Sequence, residues 1–116
     1  MPPLRLLFVC SMNRWRSPTA ERVYARDPRV VARSAGTSAK AVRRVTAEDL
    51  ARADAVVAME DEHVARLRRG FPQEMAEADV FVLDVPDDFR FMDPELVEEL
   101  RAAVDPLIEE LLAERR

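Results

Sequence analysis

The chain has 116 residues, a formal net charge of −4 and a single cysteine. That length fits one domain spanning residues 1–116, and a hydrophobic fraction of 48 % is enough to pack one core. The acidic balance argues against a nucleic-acid partner held by bulk charge. No apolar run approaches the ~20 residues of a membrane span, and the lone cysteine excludes an internal disulfide or a cysteine-built zinc site. A single cysteine also fits a reducing cytoplasm.

The elements alternate along the chain. Leu4 to Val9 is a short, nearly continuous apolar run that reads as a buried strand. The loop Cys10-Ser11-Met12-Asn13-Arg14-Trp15-Arg16-Ser17 follows, and Pro18 to about Arg26 reads as a helix opened by Ser17-Pro18. Val30 to Ser34 is a second strand, with the turn Ala35-Gly36-Thr37 behind it. A basic loop, Lys40 to Arg44, leads to Thr46, a helix N-cap with Asp49 three positions on. Asp54 to Met59 is a third strand, and Asp61 to Arg69 a helix stopped by Gly70 with Phe71-Pro72 beyond. Ala78 to Leu83 is a fourth strand. Asp93-Pro94 to Arg116 is a long amphipathic helix striped by Leu96, Leu100, Ala103, Leu107 and Leu111, with a kink or restart at Pro106 capped by Asp105. The pattern predicts an α/β three-layer sandwich with a four-stranded parallel sheet and helices on both faces.

In such a sheet, ligands sit at the carboxyl ends of the strands where strand order reverses. Cys10 ends the first strand, on a loop whose amides run into a helix N-terminus. Free N–H groups and the helix dipole converge there, so the loop binds anions and favours a thiolate over a thiol. A nucleophile, a cradle of amides and the Arg16 guanidinium on one loop suit attack on a phosphoryl group.

With those residues in view, the chain resembles the low-molecular-weight protein tyrosine phosphatase family. Residues Phe8 to Glu21 are similar to its phosphate-binding loop and following helix, and Ser34-Ala35-Gly36-Thr37 to the turn after its second strand. Val45 to Leu50 and Ala58-Met59-Glu60 resemble its middle helix and third strand. The aspartate-rich loop Asp84 to Asp93 falls where the family keeps its general acid. The departures are Met12 where the family usually carries glycine, Trp15 in place of a second cysteine, and a short, non-aromatic stretch between Thr37 and Val45. These mark a compact, divergent branch. Without the second cysteine no disulfide forms inside the loop, and Met12 requires any left-handed residue to lie elsewhere in it.

The resemblance implies a phosphomonoester hydrolase, a protein tyrosine phosphatase by family, working through a phosphocysteine intermediate without metal or cofactor. Its substrate would be a phosphorylated protein or a small phosphoester. Cys10 is then the nucleophile, Arg16 the bidentate phosphate ligand and Asp87 the first choice of general acid, with Asp88 and Asp84 as alternatives. Asp87 stands two residues before an aromatic, as the family's aspartate does, and Phe89 would line the pocket. Backbone amides of Ser11, Met12, Asn13, Arg14, Trp15 and Arg16 complete the cradle, with Asn13 bracing the loop through bonds to the backbone. Ser17 either donates to the thiolate or caps the helix. His63, the only histidine, reads as a solvated residue on a helix face. The alternatives are a phosphocarrier of the sugar-phosphotransferase IIB type, against which Arg16-Ser17 speaks, and a non-catalytic phosphate-binding module. Arsenate reductases on this fold need further cysteines, which the chain lacks.

Overall fold

The computed structural model describes residues 2–115. Four parallel strands form one sheet: β1 (Leu4–Cys10), β2 (Val30–Gly36), β3 (Ala55–Ala58) and β4 (Val80–Val82), in spatial order β2-β1-β3-β4. The helices between and after them are α1 (Arg16–Tyr24), α2 (Ala47–Arg52), α3 (Asp61–Gly70), α4 (Pro72–Glu77) and α5 (Pro94–Glu114). The two central strands are the continuous apolar ones, because helices cover them on both faces. Along β1, Leu4, Leu6, Phe8 and Cys10 join Ala20, Tyr24 and the buried residues of α5 in one core cluster. Leu7 and Val9 face the other way, into a second cluster with Leu50 of α2, Val64 and Leu67 of α3 and Met75 of α4. The period-2 alternation of a strand thus splits one run of sequence between two cores.

Several element boundaries differ from the sequence expectation for local reasons. Helix α1 starts at Arg16, with Trp15 as its N-cap and no side-chain cap, so Ser17 is not the cap. Pro18 lies in the first turn, where its missing N–H has no intrahelical partner to lose. Beyond Gly70 the chain forms α4 rather than loop, since Phe71-Pro72 opens a helix with proline in its first turn. The expected cap at Thr46 is present, with its hydroxyl accepting from the Asp49 amide and the Asp49 carboxylate accepting from the Thr46 amide.

Helix α5 runs through Pro106 without interruption. Leu100 and Val104 before the proline, and Leu107, Ile108 and Leu111 after it, are all buried, so packing carries the helix across. Pro106 and Ala102 are exposed, leaving the carbonyl that loses its partner accessible to water. Asp105 is not a new cap; its carboxylate accepts the Tyr24 hydroxyl at 2.6 Å. Burial and that carboxylate push the Tyr24 phenol above its ordinary value, keeping it a donor. The expected last residue of the helix, Arg116, lies outside the described residues.

The chain passes from β1 outward to β2, then back across β1 to β3. The connections leaving β1 and β3 therefore part to opposite sides, and their carboxyl ends frame a crevice. Cys10 is the last residue of β1.

Candidate active site

Residues 11–15 bend around the end of β1 before α1 takes over. The bend needs one left-handed residue, and it is Asn13, at φ 54°; Met12 is not in that region. Asn13 is buried, and its amide donates to the hydroxyls of Ser17 and Ser34, each at 3.0 Å. The brace is thus made to side chains, not to the backbone as expected. Gly36 closes the loop from behind. A Cβ there would sit 2.5 Å from the Ser11 carbonyl oxygen and 2.6 Å from the Ala41 Cβ, so only glycine allows the two segments to meet. The segment after β2 then zips onto the loop, as the amides of Thr37, Ser38 and Val42 donate to the carbonyls of Cys10, Ser11 and Met12 at 3.0 Å each. Among the described residues, no backbone N–H of residues 11–15 donates to an acceptor in the protein. Those carbonyls are tied outward, and the amides remain available to an anion.

The Cys10 Sγ lies 2.9 Å from the Ser17 hydroxyl. That hydroxyl receives the Asn13 amide, and its own proton can turn to the sulfur at 2.9 Å or to the Ala35 carbonyl at 3.5 Å. Ser17 does not cap the helix; its hydroxyl lies beside the sulfur instead.

Arg16 is 3 % exposed, and its hydrogen bonds all leave from Nη1. Its Nη1 pairs with the Glu60 carboxylate and donates to the Val85 carbonyl at 3.0 Å. Its Nε lies 3.5 Å from Asp87 Oδ1. Nη2 makes no hydrogen bond among the described residues, so the Nε–Nη2 edge of the fork is the one left to a ligand.

A small cavity of about 60 Å³ opens at this point, lined by Cys10, Met12, Arg14, Trp15, Arg16 and Asp87. Of the aspartates considered, Asp87 borders it. Asp88 is exposed and does not, while Asp84 lines a separate shallow depression with Glu60, Asp61 and Glu62. Phe89, expected to line the pocket, packs against the α1/α5 core instead. The side chains of Ser11, Asn13 and Ser17 stay behind the loop rather than in the cavity wall. Trp15 presents its ring there, with the Arg90 guanidinium 5.0 Å from the ring centroid.

Three functional neighbours were not visible in the sequence. Glu60, at the N-cap of α3, orients Arg16 across 44 residues of chain. Thr19 accepts the Met92 amide at 2.9 Å and donates to the Trp15 carbonyl at 2.6 Å, fastening the 84–93 loop to the cysteine loop. His63 is the largest correction. It is 1 % exposed rather than solvated. Its Nδ1 accepts the Glu60 amide at 3.0 Å, which places the ring proton on Nε2, 2.9 Å from the Ser11 hydroxyl. Burial, reinforced by the Arg16 charge, holds the imidazole below its ordinary value, so it is neutral near pH 7. A cap spelled with glutamate or glutamine at this position would have been legible; histidine in the same role gave no signal.

No protein-family model matches the chain, and no curated protein does. Solved structures do. The YwlE arginine phosphatase from Geobacillus stearothermophilus is 26 % identical over 97 % of this chain and 96 % of its own, with a TM-score of 0.74. A low-molecular-weight protein tyrosine phosphatase from T. tengcongensis is 26 % identical over 92 % of this chain and 99 % of its own, at 0.75. The tyrosine phosphatase Wzb from Escherichia coli K30, in complex with phosphate, reaches 0.76 at 21 % identity, covering 92 % of this chain and 97 % of its own. In fold and matched length the chain is similar to the low-molecular-weight protein tyrosine phosphatases, which are cysteine-dependent hydrolases of phosphoric monoesters.

Proposed function

We propose that the chain hydrolyses phosphomonoesters at the cavity between Cys10, Arg16 and Asp87, with aryl phosphates, phosphotyrosine included, as the favoured class. One observation carries the reading: a thiol, a guanidinium edge and an exposed carboxylate border the same 60 Å³ cavity at the open end of the sheet. The Trp15 ring in its wall favours a flat leaving group.

In the first step the Cys10 thiolate attacks phosphorus. The S–P bond forms as the P–O bond to the leaving group breaks, and the leaving oxygen takes the Asp87 proton. The Nε–Nη2 edge of Arg16 and the amides of residues 11–15 hold the equatorial oxygens, whose charge grows in the transition state. Glu60 and the Val85 carbonyl aim the guanidinium without competing for that edge. In the second step water attacks phosphorus and gives its proton to Asp87, and the thiolate leaves into the hydrogen bond from Ser17. Asp87 lies near Arg16 Nε, so an incoming phosphate displaces it toward the leaving oxygen. The positive field comes from loop and arginine, so no metal takes part in the scheme. A cytoplasmic setting suits an unprotected thiolate.

The test is hydrolysis of para-nitrophenyl phosphate by the purified chain in the presence of chelator, followed over many turnovers. Sustained release of phosphate supports the proposal. Activity that vanishes with chelator and returns with magnesium overturns it. A single stoichiometric burst that leaves phosphocysteine behind would favour the phosphocarrier, and phosphate binding without turnover the non-catalytic module.

A further inference from the structure

At the other end of the β1–β2 pair the sheet is not fully covered. Helix α2 has only six residues, too short to reach across the face it shares with α3 and α4. The register sets Arg5 beside Val31 and Leu7 beside Arg33, all four on that face. Leu7 is buried, but Arg5, Val31 and Arg33 are exposed, and β2 is an edge strand. A groove of about 240 Å³ results, four times the volume of the cavity at Cys10. Leu7, Val31 and Ala53 supply apolar walls, and Arg5, Arg33 and Arg52 stand around them.

The charges there are uneven. Arg5 grips Asp54 with its backbone amide at 2.8 Å and with Nε and Nη2 at 3.4 and 3.2 Å. Arg52 pairs with Glu48 at 2.8 Å. Asp49, the one carboxylate in the groove wall, is already taken by Arg43 and by the Thr46 amide. Burial pushes its pKa up, but those partners outweigh it and hold the carboxyl below its usual range, so it is fully charged and satisfied. Of the three arginines around the groove, Arg33 is the one that makes no ion pair among the described residues. A guanidinium without a carboxylate beside an apolar floor matches a molecule with the opposite charge and a flat body, since guanidinium planes stack on rings and fork around carboxylates.

We propose that this groove is a second binding site, separate from the catalytic cavity, for a small aromatic carboxylate whose charge pairs with Arg33 and whose ring lies against Val31, Leu7 and Ala53. The site does not depend on the phosphatase reading, because none of its residues borders the Cys10 cavity.

The experiment is a titration of the full chain with 2-naphthoate, followed by amide chemical shifts, with 2-naphthalenemethanol as the uncharged control. Saturable shifts are expected at residues 31–33 and 52–53, undisturbed by added inorganic phosphate. Arg33→Glu should weaken binding by about tenfold or more, the value of one charge-assisted pair. The same variant should keep its turnover of para-nitrophenyl phosphate, which also shows that it is folded. The uncharged control should bind comparably weakly to wild type and variant. Val31→Asp should reproduce the loss for naphthoate by placing a like charge against it. Binding that Arg33→Glu leaves unchanged would overturn the proposal. So would shifts confined to residues 10–17 that phosphate abolishes, or no saturable binding at millimolar probe.

Discussion

Between Cys10 and Ser17 the polar side chains other than the exposed Arg14 are tied to partners inside the fold: Ser11 to His63, Asn13 to Ser34 and Ser17, and Arg16 to Glu60. Between Asp84 and Asp93 the acidic side chains face solvent, and the loop is fastened near its ends. The Val85 amide donates to the Met59 carbonyl at 2.9 Å and its carbonyl accepts from Arg16, while the Met92 amide reaches Thr19. Both segments contain left-handed residues, yet of different character. Asn13 earns its φ of 54° through two buried hydrogen bonds, whereas Asp84 and Met92, at 56° and 61°, are exposed. The contrast follows from what each loop must do. Stabilising a phosphoryl transition state calls for dipoles fixed in advance, since reorganising them would cost as much as they return. Delivering a proton and then recovering it calls for a carboxylate that can shift between two oxygens, and Asp87, with a side chain 57 % exposed, has that freedom.

If the fixed loop carries the chemistry, damage there is the most severe. Cys10→Ser should abolish turnover, a loss on the order of 10⁶-fold, while phosphate still binds by calorimetry. Arg16→Lys should cost roughly 10³–10⁵-fold and weaken phosphate as well, because an ammonium cannot use the Nε–Nη2 edge while also pairing with Glu60. Near-normal activity in Arg16→Lys would mean that the fixed loop is structural only.

Damage to the adjustable loop should depend on the substrate. Asp87→Asn should slow hydrolysis of phenyl phosphate by about 10²–10⁴-fold, yet affect para-nitrophenyl phosphate much less, since a good leaving group needs little help. Asp88→Asn, which alters an exposed carboxylate away from the cavity, should do little to either. A selective loss in Asp88→Asn instead would show that the loop rearranges enough to exchange its two aspartates.

The same contrast explains what could be read in advance. The strand, loop and helix around Cys10, the Thr46–Asp49 cap and the parallel sheet all rest on neighbours in sequence, where period and turn chemistry are informative. At Asp93, directly before Pro94, the side chain accepts the Glu95 amide at 2.9 Å, another bond between near neighbours in sequence. Glu60 and His63 reach their partners across 44 and 52 residues, and nothing near them in the chain announces it. Pro106 misled for a related reason: a local rule about proline yielded to burial on both sides of it, which only the assembled core supplies. Phe89 had two apolar places to go, the cavity and the α1/α5 core, and sequence spacing cannot choose between them.

Loosening the fixed loop without touching its chemistry gives a milder effect. Asn13→Ala removes two buried hydrogen bonds and leaves a residue with a Cβ in the left-handed region, for a loss of about 2–4 kcal/mol in urea unfolding. Asn13→Gly should recover the conformational part, about 1–2 kcal/mol, while still lacking the bonds. Equal losses in the two variants would show that backbone strain contributes nothing at this bend.

The smallest expected effect concerns His63, which fastens the fixed loop to α3. Arg16 faces the ring with positive charge, and Glu60, Glu62 and Asp87 with negative charge, while burial is the dominant influence and lowers its proton affinity in the folded state. The unfolded chain therefore binds a proton near the ordinary value of 6.5, where the folded chain does not. Stability from this residue is fully present above that pH and falls as pH drops below it, by at most about 1.4 kcal/mol per pH unit for one proton. The carboxyls held low by arginine, Asp27, Asp49 and Asp54, keep their charge until well below this window and do not obscure it. Urea midpoints should thus decline between about pH 7 and pH 5 in wild type. His63→Gln keeps the capping geometry without a titrating ring, so its midpoints should be flatter over the same range, even if lower throughout. Parallel curves for the two proteins would show that the histidine is as solvated as its helix-face position in the sequence first implied.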